Sequence, residues 1–143
     1  MISGEFRAIP SLDRVAQRDW MRALRSRIAA IELVFHQGDD DHPLTARLAA
    51  LGADRQVGVG PRPGYTRPEP AAVLHRYRYD REILTAIDEL GGLFEPVTTR
   101  FGESARFTAL GDVDVVFLDS SGRVIGATVT HEGLILVLAG ESG

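Results

Sequence analysis

The spacing of apolar residues changes character along the chain, from a helical period in the first ninety residues to a period of two in the remainder. From Leu12 to His36, the residues Leu12, Ala16, Trp20, Ala23, Leu24, Ile28, Ile31, Val34 and Phe35 gather on one side at about 100° per residue, which predicts a long amphipathic helix docked on a core. Ser11, following Pro10, supplies the N-cap, Gly38 the stop, and Trp20 the anchor. Pro43 suits the first turn of a short second helix that runs through LTARLAALG and ends at Gly52. The stretch from Val57 to Pro70 carries Gly and Pro too densely for a helix or a central strand, so an irregular connection is expected there. Val73 to Tyr79 alternates Val73, His75, Tyr77 and Tyr79 with Leu74, Arg76 and Arg78, as a strand would, a helical continuation from Pro70 being the competing assignment. Asp80 caps a third helix through Ile83, Leu84, Ile87 and Leu90, stopped by Gly91 and Gly92.

Beyond Gly92, strands are predicted near Val97–Phe101, Ala105–Leu110, Asp112–Leu118, Arg123–His131 and Leu134–Ala139. Asp119-Ser120-Ser121-Gly122 is suited to a tight turn, and His131-Glu132-Gly133 marks a second. The expected architecture is a single α+β domain over residues 1–143: N-terminal helices packed as one layer on a curled, C-terminal antiparallel meander. In LILVLA both alternating faces are apolar, so that strand needs cover on two sides, as a central strand or through a second subunit or partner.

Composition removes many chemistries. All sixteen basic residues are arginine and there is no cysteine, which excludes Schiff-base and lysine-dependent phosphate sites, thiol nucleophiles, thiolate zinc sites and disulfides. With 44% apolar residues and a net charge of -4, the chain reads as soluble and cytoplasmic, with a protein or small molecule as partner rather than nucleic acid or an anionic membrane. No apolar run approaches the roughly twenty residues that span a bilayer.

Four constellations remain. Arg14, Arg18, Arg22 and Arg25 share one face of the first predicted helix, and only Asp19 offers a within-helix acid, so the stripe is either solvated or met by acidic groups elsewhere, by a protein or anion, or by nucleic acid. Arg76 and Arg78 lie in the run HRYRY, whose rings and guanidiniums either pack across strands or stack on bases. His36, Asp39, Asp40, Asp41 and His42 combine metal-ligand residue types, but their spacing fits no metal motif and helix capping accounts for them, with metal binding the minor alternative. His131-Glu132 lacks the second histidine of a zinc-protease helix, Ile135 standing there; Gly102 to Arg106 lacks a nucleophile elbow, and GVGPRPG departs from G-x-G-x-x-G.

The functional expectation is a protein-binding module, of an inhibitory, immunity or antitoxin type, using Arg14, Arg18, Arg22, Arg25, Arg76 and Arg78, with self-association also open and no cofactor called for. The alternative is an enzyme or small-molecule binder with a pocket between the first helix and the sheet, formed by His75, Tyr77 and His131 with carboxylates. A third reading, nucleic-acid binding, requires the helix stripe and HRYRY to share one positive face.

Overall fold

The computed structural model describes residues 6–10, 14–40, 42–61, 67–90, 96–98, 104–106, 113–130 and 134–138. In chain order the elements are β1 (Phe6–Pro10), α1 (Arg14–Leu24), a 3-10 turn (Arg25–Arg27), β2 (Ala30–Phe35), α2 (Pro43–Arg47), β3 (Asp54–Val59), β4 (Glu69–Arg78), α3 (Arg81–Glu89), β5 (Pro96–Thr98), β6 (Ser104–Arg106), β7 (Val113–Leu118), β8 (Val124–Val129) and β9 (Leu134–Leu138). Seven strands form one antiparallel sheet in the order β1-β9-β8-β7-β2-β4-β3, and β5 pairs with β6 separately. The architecture is α+β, dominated by strands.

The long first helix does not form. It stops at Leu24, and the run AIELVF becomes β2, hydrogen-bonded to β4 on one edge and β7 on the other. The reason is burial on two sides. Ile31, Leu33 and Phe35 enter one cluster with Met21 and Leu24 of α1, Leu44 of α2 and Ile83, Ala86 and Ile87 of α3, while Val34 packs with Val59, Ala72 and Leu74 on the opposite face. A helix could present only one stripe to the core, whereas a strand in mid-sheet buries both its faces. Each such fully buried side chain is worth roughly 1.5–3 kcal/mol.

The sheet is therefore not confined to the C-terminal half. β1 lies in a segment given no assignment, β2 in the expected first helix, β3 runs into the expected irregular connection, and β4 begins at Glu69, before the expected Val73. The expected irregular connection is narrower as well, because β3 extends to Val59 through a bulge at Gly58, whose φ of 87° suits a residue without Cβ. The C-terminal meander is found in part: β7, β8 and β9 are sequential neighbours, whereas the strands expected near Val97–Phe101 and Ala105–Leu110 appear as the short β5 and β6, paired with each other apart from the main sheet. Asp119 accepts from the Ser121 and Arg123 amides to close the turn that contains Gly122, at φ 84°. β9 is paired on both edges, by β1 and β8, and sends Ile135 into one cluster and Leu136 into another, as its two apolar faces require. Asp80 caps α3 by accepting from the Glu82 amide at 2.8 Å. α2 is capped by His42, whose Nδ1 accepts from the Leu44 amide at 3.0 Å, in place of the preceding aspartates.

α1 packs closely over Gly126 of β8. A Cβ there would stand 2.8 Å from Leu24 Cδ1 and 3.0 Å from Trp20 Cζ2, and the Trp20 ring is 5.2 Å from that of Phe117. Gly126→Val is expected to lower unfolding free energy by about 1–3 kcal/mol through displacement of α1. Urea titration with the tryptophan signal checks this, and an unchanged midpoint would refute the close contact.

Candidate functional site

The sequence-nominated arginines separate into two surfaces. On α1, Arg18 reaches Asp88 of α3 at 2.9 Å, so one member of the stripe is neutralised within the fold. Arg22 and Arg25 are exposed and have no acidic partner among the described residues; Arg25 lies in the 3-10 turn beyond the helix end. Arg14 opens α1, its side chain lying outside the described residues. On β4, Arg76 reaches its cross-strand partner Glu32 at 3.2 Å, and Arg78 is exposed. His75 and Tyr77 belong to the same cluster as Met21 and Leu24 of α1, so strand alternation turns Arg76 and Arg78 to the other face of the sheet. The α1 arginines and the HRYRY arginines therefore do not make up one continuous surface.

Histidines and carboxylates assemble into two partly buried networks, at and just beyond the end of β2. In the first, His36 is held between acids: Nδ1 lies 2.5 Å from Glu69 Oε2 and Nε2 2.6 Å from Asp114 Oδ2, with the imidazole 8% exposed. Carboxylates accept, so both ring nitrogens donate and the ring is an imidazolium. Burial alone would lower its pKa; hydrogen bonds to Asp114 and Glu69, reinforced by their charge, outweigh that and raise it from 6.5 to about 9. Asp114 is itself fixed from behind, its Oδ1 accepting from Thr128 Oγ1 at 3.0 Å and the Thr130 amide at 2.7 Å.

In the second network, Asp39 receives Arg55 at 2.8 and 3.1 Å and His75 Nε2 at 2.7 Å. The Arg55 hydrogen bond, against the cost of burial, holds the Asp39 carboxyl well below the usual carboxylate range, with His75 and the Arg55 charge adding to the effect. An ionised Asp39 can only accept, so His75 Nε2 donates and its Nδ1 faces the Tyr77 hydroxyl at 3.3 Å. Burial, then the Asp39 charge, pushes the Tyr77 phenol up. Phe35 packs against His75 and His42 with ring centroids 4.8 and 4.9 Å away.

Of the nominated pocket residues, His75 and Tyr77 do meet, deep in the core, while His131 lies outside the described residues. His36, Asp39 and His42 take different partners, Asp40 is exposed, Asp41 lies outside the described residues, and no group of three His, Asp or Glu side chains is arranged to hold a metal ion among the described residues. Sequence reading missed Glu32, Arg55, Glu69, Asp114, Thr128 and Thr130. Two of these left a trace: Glu32 in AIELVF and Asp114 in VDVVFL are single carboxylates in apolar strands, which must find a donor when buried.

No helix among the described residues is long and apolar enough to cross a membrane. Comparison with family models, with curated proteins and with solved structures finds no match for this chain.

The two networks predict the pH dependence of stability. His36 is raised on folding, so its contribution is complete below about pH 6.5 and is lost as pH rises through about 9. Asp39 is lowered, so its contribution is present above its ordinary value of 3.8 and is lost as pH falls. Wild-type unfolding free energy should fall from about pH 7 to 9.5, and His36→Gln should be less stable at neutral pH and flat over that range. Parallel alkaline slopes for the two proteins in denaturant titrations would show that His36 is not the titrating group.

Proposed function

We propose that the chain is a protein-binding module whose docking surface is the exposed face of α1. The observation that carries this reading is Val15, 61% exposed, standing at i, i+3 and i+7 spacing with Arg18 and Arg22, with Arg25 following in the next turn. An exposed aliphatic residue on the face that carries Arg22, which like Arg25 has no acidic partner among the described residues, matches the make-up of interface centres, where arginine is enriched and its fork engages carboxylates. The corresponding partner presents an acidic surface, and electrostatic steering would hasten its capture.

Within that class, an inhibitory protein of the immunity or antitoxin kind fits best, because neutralising a partner requires surface complementarity and no catalytic group. In this reading the three helices form a single layer on one face of a curled sheet in one domain over residues 1–143, which holds α1 rigid. The histidines support the reading indirectly: His36 and His75 have carboxylate partners in the fold and His42 caps α2, so their chemistry is committed to structure. The alternative of a His–carboxylate pocket draws support from the 2.7 Å His75–Asp39 contact, but His75 and Tyr77 are 6% and 4% exposed, as core residues are.

Affinity purification of the tagged protein from its native host, beside an Arg22→Glu/Arg25→Glu variant, provides the test. A stoichiometric partner should be retained by wild type, lost by the variant, and rebind when purified with affinity that falls steeply with salt, by at least about tenfold on charge reversal. Arg18 is left intact because its contact with Asp88 ties α1 to α3. A partner bound equally well by a folded variant would move the docking surface off α1.

A further inference from the structure

On the opposite face of the sheet from α1, the strands leave a step. β4 continues to Arg78, which pairs with Ala30 of β2, whereas β3 starts only at Asp54, opposite Arg76. An open cleft of about 490 Å³ occupies that step, lined by Ala30, Gly52, Ala53, Asp54, Arg76, Tyr77 and Arg78. Three of these positions carry a methyl group or less, Tyr77 is buried, and the long exposed side chains are Arg76 and Arg78.

We infer that this cleft is a binding site for a small oxyanion-bearing ligand, a carboxylate or phosphate compound, held by Arg76 and Arg78. The two arginines are two positions apart on one strand, so they project to the same face about 7 Å apart and can reach one ligand together. They are prepared differently. Arg76 is oriented by Glu32, whose side chain is 6% exposed, while Arg76 itself remains 46% exposed. Arg78 has no acidic partner among the described residues and is exposed, so its fork is the one that an incoming anion gains in full. Asp54, opposite Arg76 on the rim, repels a bare anion but accepts from a hydroxyl or amine, which favours a ligand carrying a donor next to its anionic group. The ligand is therefore a hydroxy- or amino-substituted carboxylate, or a phosphate ester of comparable size.

The site is independent of the α1 surface, and its test separates the two. Inorganic phosphate, malate and succinate would be titrated into the isotopically labelled protein and amide shifts followed, with Arg78→Gln, Asp54→Asn and Arg22→Gln variants alongside. The expected result is saturable movement of the Gly52, Ala53 and Arg78 amides, with malate tighter than succinate, a loss of at least about tenfold in Arg78→Gln, and no change in Arg22→Gln, as removal of one charge-assisted hydrogen bond implies. Asp54→Asn should tighten phosphate and narrow the preference for malate. Absence of saturation by about 20 mM ligand, which means binding weaker than that of a roughly 1 mM site by more than about tenfold, would overturn the inference. So would shifts centred on α1, or equal binding by a folded Arg78→Gln protein.

Discussion

Everything in this fold is arranged around strand β2, which must be buried on both faces and paired on both edges. It is short and almost wholly apolar, so one uncovered face would leave either Ile31, Leu33 and Phe35 or Val34 in water. The helices pack on the first set, and Val59, Ala72 and Leu74 surround Val34 on the other. Placing β2 between β4 and β7 joins strands far apart in sequence, and this crossover makes one sheet from the two halves of the chain.

That position sets the electrostatics. Polar groups on or next to a doubly covered strand lose water and must be repaid by neighbours. Glu32 finds Arg76 across the β2–β4 ladder, and His36, one residue past the end of β2, finds Glu69 and Asp114 from β4 and β7, the strands that flank it. Asp39, three residues further on, is held by Arg55 of β3 and His75 of β4. The segment leaving β2 is thus fastened by ionic hydrogen bonds from three strands, β3, β4 and β7, and caps α2 through His42. Arg22 and Arg25 on the outer side of α1 and Arg78 at the β3–β4 step are exposed cations that this scheme does not use.

Much of the fold could be read in the sequence where a segment's pattern admitted only one solution. Asp80 ahead of an Ile-Leu-Ile stripe with two glycines behind it, and Asp119 before a glycine, are local devices whose partners lie within a few residues. The double apolar face of LILVLA likewise had few outcomes, and β9 lies between two strands. The same reasoning applied to AIELVF would have found β2; helical spacing upstream masked it, since a continuous apolar run fits both periods. The histidine networks were less legible. His36, Asp39 and His42 stood out as a cluster by sequence proximity, but the carboxylates that bind His36 are 33 and 78 residues away, and nothing local points to them.

The amino-acid sequence by itself determined the chemistry available and the short-range stops and caps: no thiol or primary amine on any side chain, arginine as the sole strong cation, turns where Asp, Ser and Gly meet, and apolar surface that had to be covered. Only the tertiary structure decided that α1 ends at Leu24, that His36 becomes an imidazolium held between two acids, and that Arg76 and Arg78 face away from the α1 arginines. The physical reason is the range of the forces. Capping and turn hydrogen bonds close within one or two turns of chain, whereas two-sided burial and charge pairing depend on which distant strands come to lie side by side.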